Sequence, residues 1–361
     1  MSRPTVLIFH RPAQEGEPRL VHVLADVRGR LAGVQADALH RAGSGSVHVV
    51  GDVEGRHTFG EALAELAPAE GGLIVLGSGA VPLLSARDAS RLVDVATSGQ
   101  RRALTNNRYS SDICALGDAT GLRDLPALPS DNSLPRWLEE RAGFQVNELS
   151  GRARLGLDLD TPLDIALVAL HRSCPSWLRR AADEAGLAVP RLTELRGLAA
   201  DPHAELLIFG RSGSATLRWL ERNVRCRVRF LAEERGLRAS SPLAISAEYA
   251  PRMPGRPPRA TIGRLLERDG PGALGAIVAE LGEGAVLDTR VLLADRLGAD
   301  EVNWPSPADR FASDLLRPAE IGHDWLRDLT GAAAVSPQPI VLGAHSLVGP
   351  GLPLLLGGER S

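Results

Sequence analysis

This chain contains no lysine, and all 41 of its lysine-or-arginine residues are arginine. A P-loop needs a lysine against the phosphates of its nucleotide, and a Schiff-base enzyme needs a lysine amine to form the imine. The sequence therefore excludes both classes of protein. Any cationic contact with a ligand has to come from arginine, histidine, a helix N-terminus or a metal ion.

Cysteine, long apolar runs and excess positive charge are also scarce. The three cysteines, Cys114, Cys174 and Cys226, lie far apart and form no Cys-x-x-Cys pair, which argues against structural zinc and against a disulfide framework. No apolar run approaches the length of a membrane span, and the N-terminal residues lead into a strand-like segment rather than a secretory signal. A net charge of -3 gives no basic footprint for nucleic acid. We therefore expect a soluble, cytoplasmic protein that binds neither membranes nor nucleic acid, and the oligomeric state stays open.

The sequence does contain short apolar segments, typical of strands, that alternate with segments whose apolar residues recur at helical spacing. Such alternation is typical of an α/β fold with a mostly parallel, covered sheet, in which ligands bind beyond the carboxyl ends of the strands. At 361 residues the chain is too long for one small domain, so we predict a first domain over residues 1–172 and a second α/β domain of open role over 173–361. The predicted strands are residues 4–10, 47–52, 72–79, 102–107, 112–116, 204–210, 225–231 and 340–343.

Three segments in the second half are harder to assign from the sequence. Residues 285–293 are apolar enough for a strand or for a buried helix, and periodicity does not decide between them. Residues 239–260 are rich in proline and arginine and are predicted to be a connecting loop. Residues 304–314 place acids, an arginine and aromatics between apolar segments, and are also predicted to be a loop.

One stretch in the middle of the chain combines a strand end, a turn and a helix start. Asp158 and Asp160 alternate with leucines, so that in an extended segment both carboxylates point to the same face. Thr161 suits the N-cap, Pro162 the first helical position and Asp164 the acidic position of a capping box. Two carboxylates beside the positive end of a helix could hold Mg²⁺ and, through it, phosphates. The simpler alternative is a well-capped helix after a strand whose acids face solvent.

These residues resemble the D-x-D-T-P-x-D-L segment found near the end of MobA-like and CofC-like nucleotidyltransferases, which reads here D-L-D-T-P-L-D-I over residues 158–165. The resemblance covers at most residues 1 to about 170 and implies a GT-A-type α/β fold. It implies Asp158 and Asp160 as catalytic, metal-binding acids with Mg²⁺ as cofactor. The activity it implies is transfer of a nucleotidyl group from an NTP to a small phosphorylated or carboxylated acceptor.

Two segments depart from the pattern of that family. Residues 82–84 fit its D-x-P-L-L segment, but the place of the metal-binding aspartate is taken by Ser78, Gly79 or Ala80. After the first strand the family has a Gly-rich loop with arginine and lysine that holds the triphosphate, whereas residues 9–16 contain one glycine and no lysine. The glycines around Ser78 could still let backbone N–H groups approach a phosphate or a base. Two alternatives therefore stay open: a homologue that binds a nucleotide or sugar-nucleotide without turning it over, and a non-enzymatic scaffold.

Two further polar segments follow predicted strands. Asn106, Asn107 and Arg108 could orient a base, a sugar or the acceptor, although the same residues are ordinary in turns. His345 stands beside Ser346 at the end of the last strand, where binding of a small polar ligand is favoured over a hydrolase triad, because no Gly-x-Ser-x-Gly elbow is present. The predicted site residues are Asp158 and Asp160 as catalytic and metal-binding acids, with Gly77, Ser78, Gly79, Asn106, Asn107, Arg108 and His345 as substrate-binding residues.

Overall fold

The computed structural model describes residues 3–51, 58–128, 130–149, 153–235 and 257–357. These residues divide into two compact units. Unit 1 holds the described residues within 3–17 and 25–159, and unit 2 holds those within 18–24, 160–235 and 257–357. Each unit has the α/β architecture that the sequence predicts. Most of the predicted loop 239–260 lies outside the described residues.

The strands and helices have the following bounds. The strands are β1 Thr5–Phe9, β2 Val47–Val50, β3 Leu73–Gly77, β4 Arg102–Thr105, β5 Ile113–Leu116, β6 Gln145–Glu148, β7 Glu205–Gly210, β8 Arg227–Ala232, β9 Gly284–Asp288 and β10 Ile340–Gly343. The helices of the described residues are α1 Arg19–Arg41, α2 Phe59–Leu66, α3 Ala86–Thr97, α4 Leu134–Glu140, α5 Pro162–Ala169, α6 Ser176–Glu184, α7 Pro190–Ala200, α8 Ser214–Asn223, α9 Thr261–Asp269, α10 Leu274–Leu281, α11 Thr289–Leu297, α12 Pro307–Asp314, α13 Asp324–Val335, α14 His345–Val348 and α15 Gly351–Leu356. None of the described helices combines the length and the apolar character needed to cross a membrane.

Unit 1 is built on a six-stranded sheet with the order β2-β1-β3-β5-β4-β6. Strand β5 runs antiparallel to both of its neighbours, and the other pairings are parallel. Because side chains alternate along a strand, β1 sends Val6 and Ile8 to one face, against helices α1 and α3. It sends Leu7 to the other face, with helices α2 and α4. Both faces are covered, so strand ends and sheet edges remain as places for a ligand.

Unit 2 is built on a four-stranded parallel sheet with the order β10-β9-β7-β8. The undecided segment 285–293 is both strand and helix: β9 ends at Asp288, whose side chain accepts from the backbone N–H of Arg290 and so caps α11. Gly210, at the end of β7, has a φ of 131°. A Cβ on Gly210 would lie 2.2 Å from the Cβ of Asp288, so the two strand ends meet with room for glycine alone.

The structure also corrects some of the sequence predictions. The predicted loop 304–314 is wrong in its second half, where helix α12 follows the cap Ser306, whose side chain accepts from the N–H of Asp309, and buries Phe311. The strand end expected in the stretch that begins at Leu155 is reduced to a single bridge between Ala80 and Asp158, and a 3₁₀ turn, Ala153–Leu155, precedes it. Strand β6 and helix α7 had no counterpart among the predictions. The capping box of Thr161 and Asp164 at the start of α5 is confirmed.

Candidate functional site

The carboxyl ends of β1 and β3 bring a histidine and a serine together. Phe9 and Gly77 are paired across the two parallel strands, so the residues that follow them, His10 and Ser78, leave the sheet side by side. The distance from Nδ1 of His10 to Oγ of Ser78 is 3.0 Å. The backbone N–H of Ser78 donates to the carbonyl of Phe9 at 2.8 Å, and that of His10 donates to the carbonyl of Val50 at 2.9 Å. Both residues are therefore held by the sheet.

Asp158 lies against the turn that follows β3, which we call the β3 turn (residues 78–81). The N–H of Leu159 donates to the carbonyl of Gly79 at 3.0 Å. A Cβ on Gly79 would lie 2.5 Å from Oδ1 of Asp158 and 2.8 Å from Nε of Arg28. The structure thus brings together Asp158 and the glycine turn, and it adds Arg28, which sequence reasoning missed. A carboxylate and a guanidinium converge above a residue that has no side chain.

The β3 turn supplies no second acid. Ser78 contacts His10, Gly79 has no room for a side chain, and Ala80 is fully buried. Asp158 is half-buried, whereas Asp160 is exposed and belongs to unit 2. In the described part of the chain, no group of three or more His, Cys, Asp or Glu side chains could hold a metal ion. Asp158 is thus the one carboxylate that the motif brings to the β3 turn, and the magnesium ion stays a prediction from the sequence.

Asn106 holds together the turn between β4 and β5. Its side-chain oxygen accepts from the backbone N–H of Asp112 at 3.0 Å and of Ile113 at 3.3 Å. Its side-chain nitrogen donates to Oδ2 of Asp112 at 2.6 Å and to the carbonyl of Leu155 at 3.0 Å. Four such bonds engage the whole amide, so the structure gives Asn106 the ordinary role of a turn residue.

The next two residues are likewise engaged with the protein. The side-chain oxygen of Asn107 accepts from the N–H of Tyr109 at 2.9 Å. Arg108 forms an ion pair with Glu139 at 3.2 Å and donates to the carbonyl of Val146 at 2.7 Å. These contacts tie the turn to α4 and β6. A ligand contact by Asn107 or Arg108 stays a prediction.

A cavity of about 150 Å³ opens where β1 and β3 end, at the sheet edge where α/β folds bind their ligands. One side is aromatic: the ring centroids of Phe9 and Phe59 are 5.5 Å apart at an interplanar angle of 58°. The other lining residues include two acids, Asp112 and Asp131. The lining residues are Phe9, Phe59, Val75, Leu76, Gly77, Ser111, Asp112, Ile113, Cys114, Ser130, Asp131 and Leu134.

The protonation state of His10 follows from its surroundings. Burial lowers the pKa of His10, and the positive charge of Arg28 lowers it further, while Asp26 on the same helix raises it. The pKa stays below its usual value of 6.5, so the imidazole is neutral at neutral pH. The sequence predictions did not include His10. The position of His10, directly after a buried strand, was the signal that could have identified it.

His345, the remaining predicted site residue, lies in unit 2. It is exposed and forms the first residue of the short helix α14. Its neighbour Ser346 is buried and donates to Oδ1 of Asp164 at 2.6 Å. Burial, together with the nearby charge of Asp160, raises the pKa of Asp164 to about 7. The serine therefore pairs with an acid that sequence reasoning assigned only to a helix cap.

Three acids of unit 2 that a hydrolase triad with His345 could use as its orienting group have other contacts. Asp288 accepts two hydrogen bonds from the guanidinium of Arg211, at 2.7 and 3.1 Å. Asp314 accepts two from Arg290, at 2.9 and 2.7 Å. Asp309 accepts from backbone N–H groups, including that of Gly322 at 2.9 Å. These contacts are structural.

The chain matches no family model and no curated protein with which it was compared.

Proposed function

We propose that unit 1 binds a ligand of the nucleotide or sugar-nucleotide class at the carboxyl edge of its six-stranded sheet, and that it does so without transferring the nucleotidyl group. The observation that carries this proposal is the cavity at the ends of β1 and β3, which has an aromatic wall and includes Asp112 and Asp131 among its lining residues. Convergent polar groups in an apolar concavity are the usual mark of a small-molecule site.

The lining of the cavity favours a flat ring that carries N–H donors. Phe9 and Phe59 offer apolar surface for a ring, and the carboxyl oxygens of Asp112 and Asp131 accept hydrogen bonds. Pockets that enclose a whole drug-sized ligand measure roughly 300–1,000 Å³, whereas this cavity measures about 150 Å³. It therefore encloses one ring-sized part, such as a base, and leaves the rest of the ligand outside.

The β3 turn argues for binding without transfer. Phosphoryl and nucleotidyl transfer depend on a metal ion and on cations that neutralise the developing charge. Asp158 lies against this turn, and Ser78, Gly79 and Ala80 supply no second carboxylate. Arg28 is the cation found beside Gly79. This set provides much less than transfer chemistry requires.

An active nucleotidyltransferase is the second candidate. It is favoured by one specific contact, since Asp158 of the D-x-D-T-P segment lies against the β3 turn, where the family resemblance implies a metal-binding acid. Release of pyrophosphate separates the two candidates. We expect none when the full chain is incubated with the four NTPs, Mg²⁺ and a mixture of phosphorylated and carboxylated acceptors.

Binding is tested by calorimetry on the full chain with nucleosides, NTPs and sugar-nucleotides, each with and without Mg²⁺. Asp131→Asn should weaken the binding of the preferred ligand about tenfold or more, since a hydrogen bond to a charged group contributes about 1.5–3 kcal/mol. Asp124→Asn, at an exposed residue outside the cavity lining, is the matched control and should bind as the parent does. The proposal fails if no member of the panel binds, or if Asp131→Asn and Asp124→Asn bind equally well.

A further inference from the structure

The pair formed by Ser78 and His10 has the geometry of a nucleophile and its general base. The 3.0 Å separation of Oγ and Nδ1 lies within the range of about 2.6–3.2 Å over which such a proton is transferred. Backbone hydrogen bonds to the sheet hold both residues in this arrangement, which does not depend on a ligand in the cavity described above. We propose that Ser78 is an activated nucleophile with His10 as its base, and that unit 1 hydrolyses small carboxylic esters at this pair.

The state of His10 suits a base. Its Nε2 packs against α1, since a Cβ on Gly29 would lie 3.1 Å from that atom. Arg28 of the same helix lowers the pKa of His10, and Asp26 raises it. The other ring nitrogen, Nδ1, faces Ser78. With its pKa below 6.5, the imidazole is free at neutral pH to accept the hydroxyl proton of Ser78.

The β3 turn has features of a reactive turn rather than a plain connection. Val81, which is β-branched and fully buried, has a φ of 41°. Side chains of this kind rarely adopt that conformation, and such strain is concentrated at functional sites. The side-chain nitrogen of Gln35, a residue of α1, donates to the carbonyl of Ala80 and so fixes the turn from the side of α1. The strained backbone at Val81 and the hydrogen bond from Gln35 together fix the turn that carries Ser78.

Access and charge also suit an ester carbonyl. Ser78 itself is buried, with 4% of its surface exposed, and the open approach to it is at Gly77, where an added Cβ would meet no atom within 4 Å. The guanidinium of Arg28 beside Gly79 has the sign that a developing oxyanion needs. Asp158 stands at the same position with the opposite sign and limits that stabilisation, which points to activated or small esters rather than amides.

The reaction proceeds in two balanced steps. Oγ of Ser78 attacks the ester carbonyl carbon while its proton passes to Nδ1 of His10, and the C–O bond to the alcohol breaks as the alkoxide takes that proton. Water then attacks the acyl-serine carbonyl and gives a proton to Nδ1, and Ser78 leaves with that proton as its hydroxyl. The sum is ester plus water to acid plus alcohol, with water as the one co-reactant.

A fluorophosphonate probe tests the nucleophile directly in the full chain. Attack by Oγ of Ser78 forms a P–O bond and releases fluoride, and mass spectrometry of the digested protein should locate the adduct on the peptide that contains Ser78. Ser78→Ala should abolish the adduct, and His10→Gln should slow its formation by about 100-fold or more. Ser133→Ala, at another buried serine of unit 1, is the matched control and should leave the rate unchanged. Hydrolysis of p-nitrophenyl acetate should follow the same order.

The rate of adduct formation should rise with pH through the range below 6.5 and level off by pH 7, since neutral His10 is the active form. An adduct on Ser78 that forms about 100-fold more slowly in His10→Gln supports the proposal. No adduct on Ser78 in the unsubstituted chain, an adduct elsewhere, or an unchanged rate in His10→Gln overturns it. Because the adduct is located in the unsubstituted chain, a variant that fails to fold does not decide the result.

Discussion

Oγ of Ser346 donates a 2.6 Å hydrogen bond to Oδ1 of Asp164, a residue 182 positions earlier in the chain. The other carboxyl oxygen of Asp164 accepts from the N–H groups of Asp160 at 3.0 Å and of Thr161 at 2.7 Å. A single carboxyl group therefore joins the start of α5 to helix α14, which follows β10. Both side chains are almost completely buried, with exposures of 3% for Ser346 and 1% for Asp164.

Ser346→Ala should destabilise the protein by about 1–3 kcal/mol. The substitution leaves a buried carboxyl oxygen without its donor, and the desolvation cost of that oxygen is then not offset. Chemical denaturation at pH 7 measures the free energy of unfolding. Ser214→Ala, at an exposed serine of the same unit, is the control and should change it little. Equal stability of the two variants would show that the bond contributes nothing.

Asp164 should also make stability depend on pH. Its folded pKa of about 7 exceeds its unfolded value of 3.8, so the folded state binds more protons between these values and stability falls as pH rises from about 4 to about 7. Asp164→Asn cannot ionise and lacks this decline. The free energy of unfolding of the variant minus that of the parent should therefore increase by up to about 4 kcal/mol as pH rises from 4 to 7.

Urea denaturation at half-unit pH steps measures this difference. Asp183→Asn, at an exposed residue of unit 2, is the control and should run parallel to the parent across the range. If the Asp164→Asn curve also runs parallel to the parent curve, Asp164 does not carry a raised pKa.

Two glycines on either side of Ser78 should respond differently to the same substitution. A Cβ at Gly79 would lie 2.5 Å from Oδ1 of Asp158 and 3.0 Å from the carbonyl oxygen of Leu159, and the latter is backbone that cannot swing aside. A Cβ at Gly77 would meet nothing within 4 Å. Gly79→Ala should lower the midpoint of thermal unfolding by several degrees, as expected for about 1–3 kcal/mol of overpacking, while Gly77→Ala leaves it nearly unchanged. Equal midpoints would contradict the contact between Asp158 and the turn.

Arg290 and Asp314 form a buried ion pair. Replacing one partner should destabilise the protein much more than replacing both partners with apolar residues. Their side-chain exposures are 7% and 0%. Arg290→Met leaves Asp314 buried without its partner and should cost about 3–5 kcal/mol, whereas Arg290→Met with Asp314→Leu should recover most of that loss. Arg327→Met, in a surface pair with Asp324, should change stability by about 0.5 kcal/mol or less. A double variant as unstable as Arg290→Met would argue against this account.

Local patterns were predictable from the sequence, and strand order was not. Residues 340–343 could be assigned as a strand because they are a short apolar run between turn residues, and the capping box of Thr161 and Asp164 depends on residues three apart. Strand β6 was missed because Val146 is its one buried residue, which gives too little apolar signal. Helix α7 could have been predicted, since its buried residues Leu192, Leu195 and Ala199 recur at helical spacing.

The sequence indicated the turn after β3 and Asp158, but not their partners. Residues 77–79 were chosen because they follow a strand, and Asp158 because it belongs to the D-x-D-T-P segment. The contact of His10 with Ser78 depends on Phe9 pairing with Gly77 across 68 residues, a register that no local pattern encodes. Asn106 was predicted to contact a ligand because its chemistry suits one, but the same chemistry suits a turn, and the structure shows three bonds within the turn and one to the carbonyl of Leu155.

Gly210 has a consequence for recognising distant relatives of unit 2. Its φ of 131° and the 2.2 Å that would separate an added Cβ from that of Asp288 make every other amino acid incompatible with this strand pairing. Homologues that have diverged almost everywhere should still retain a glycine at the end of one strand and a compact acid at the end of its neighbour. A profile weighted on these two columns would detect ancestry that overall identity no longer reveals.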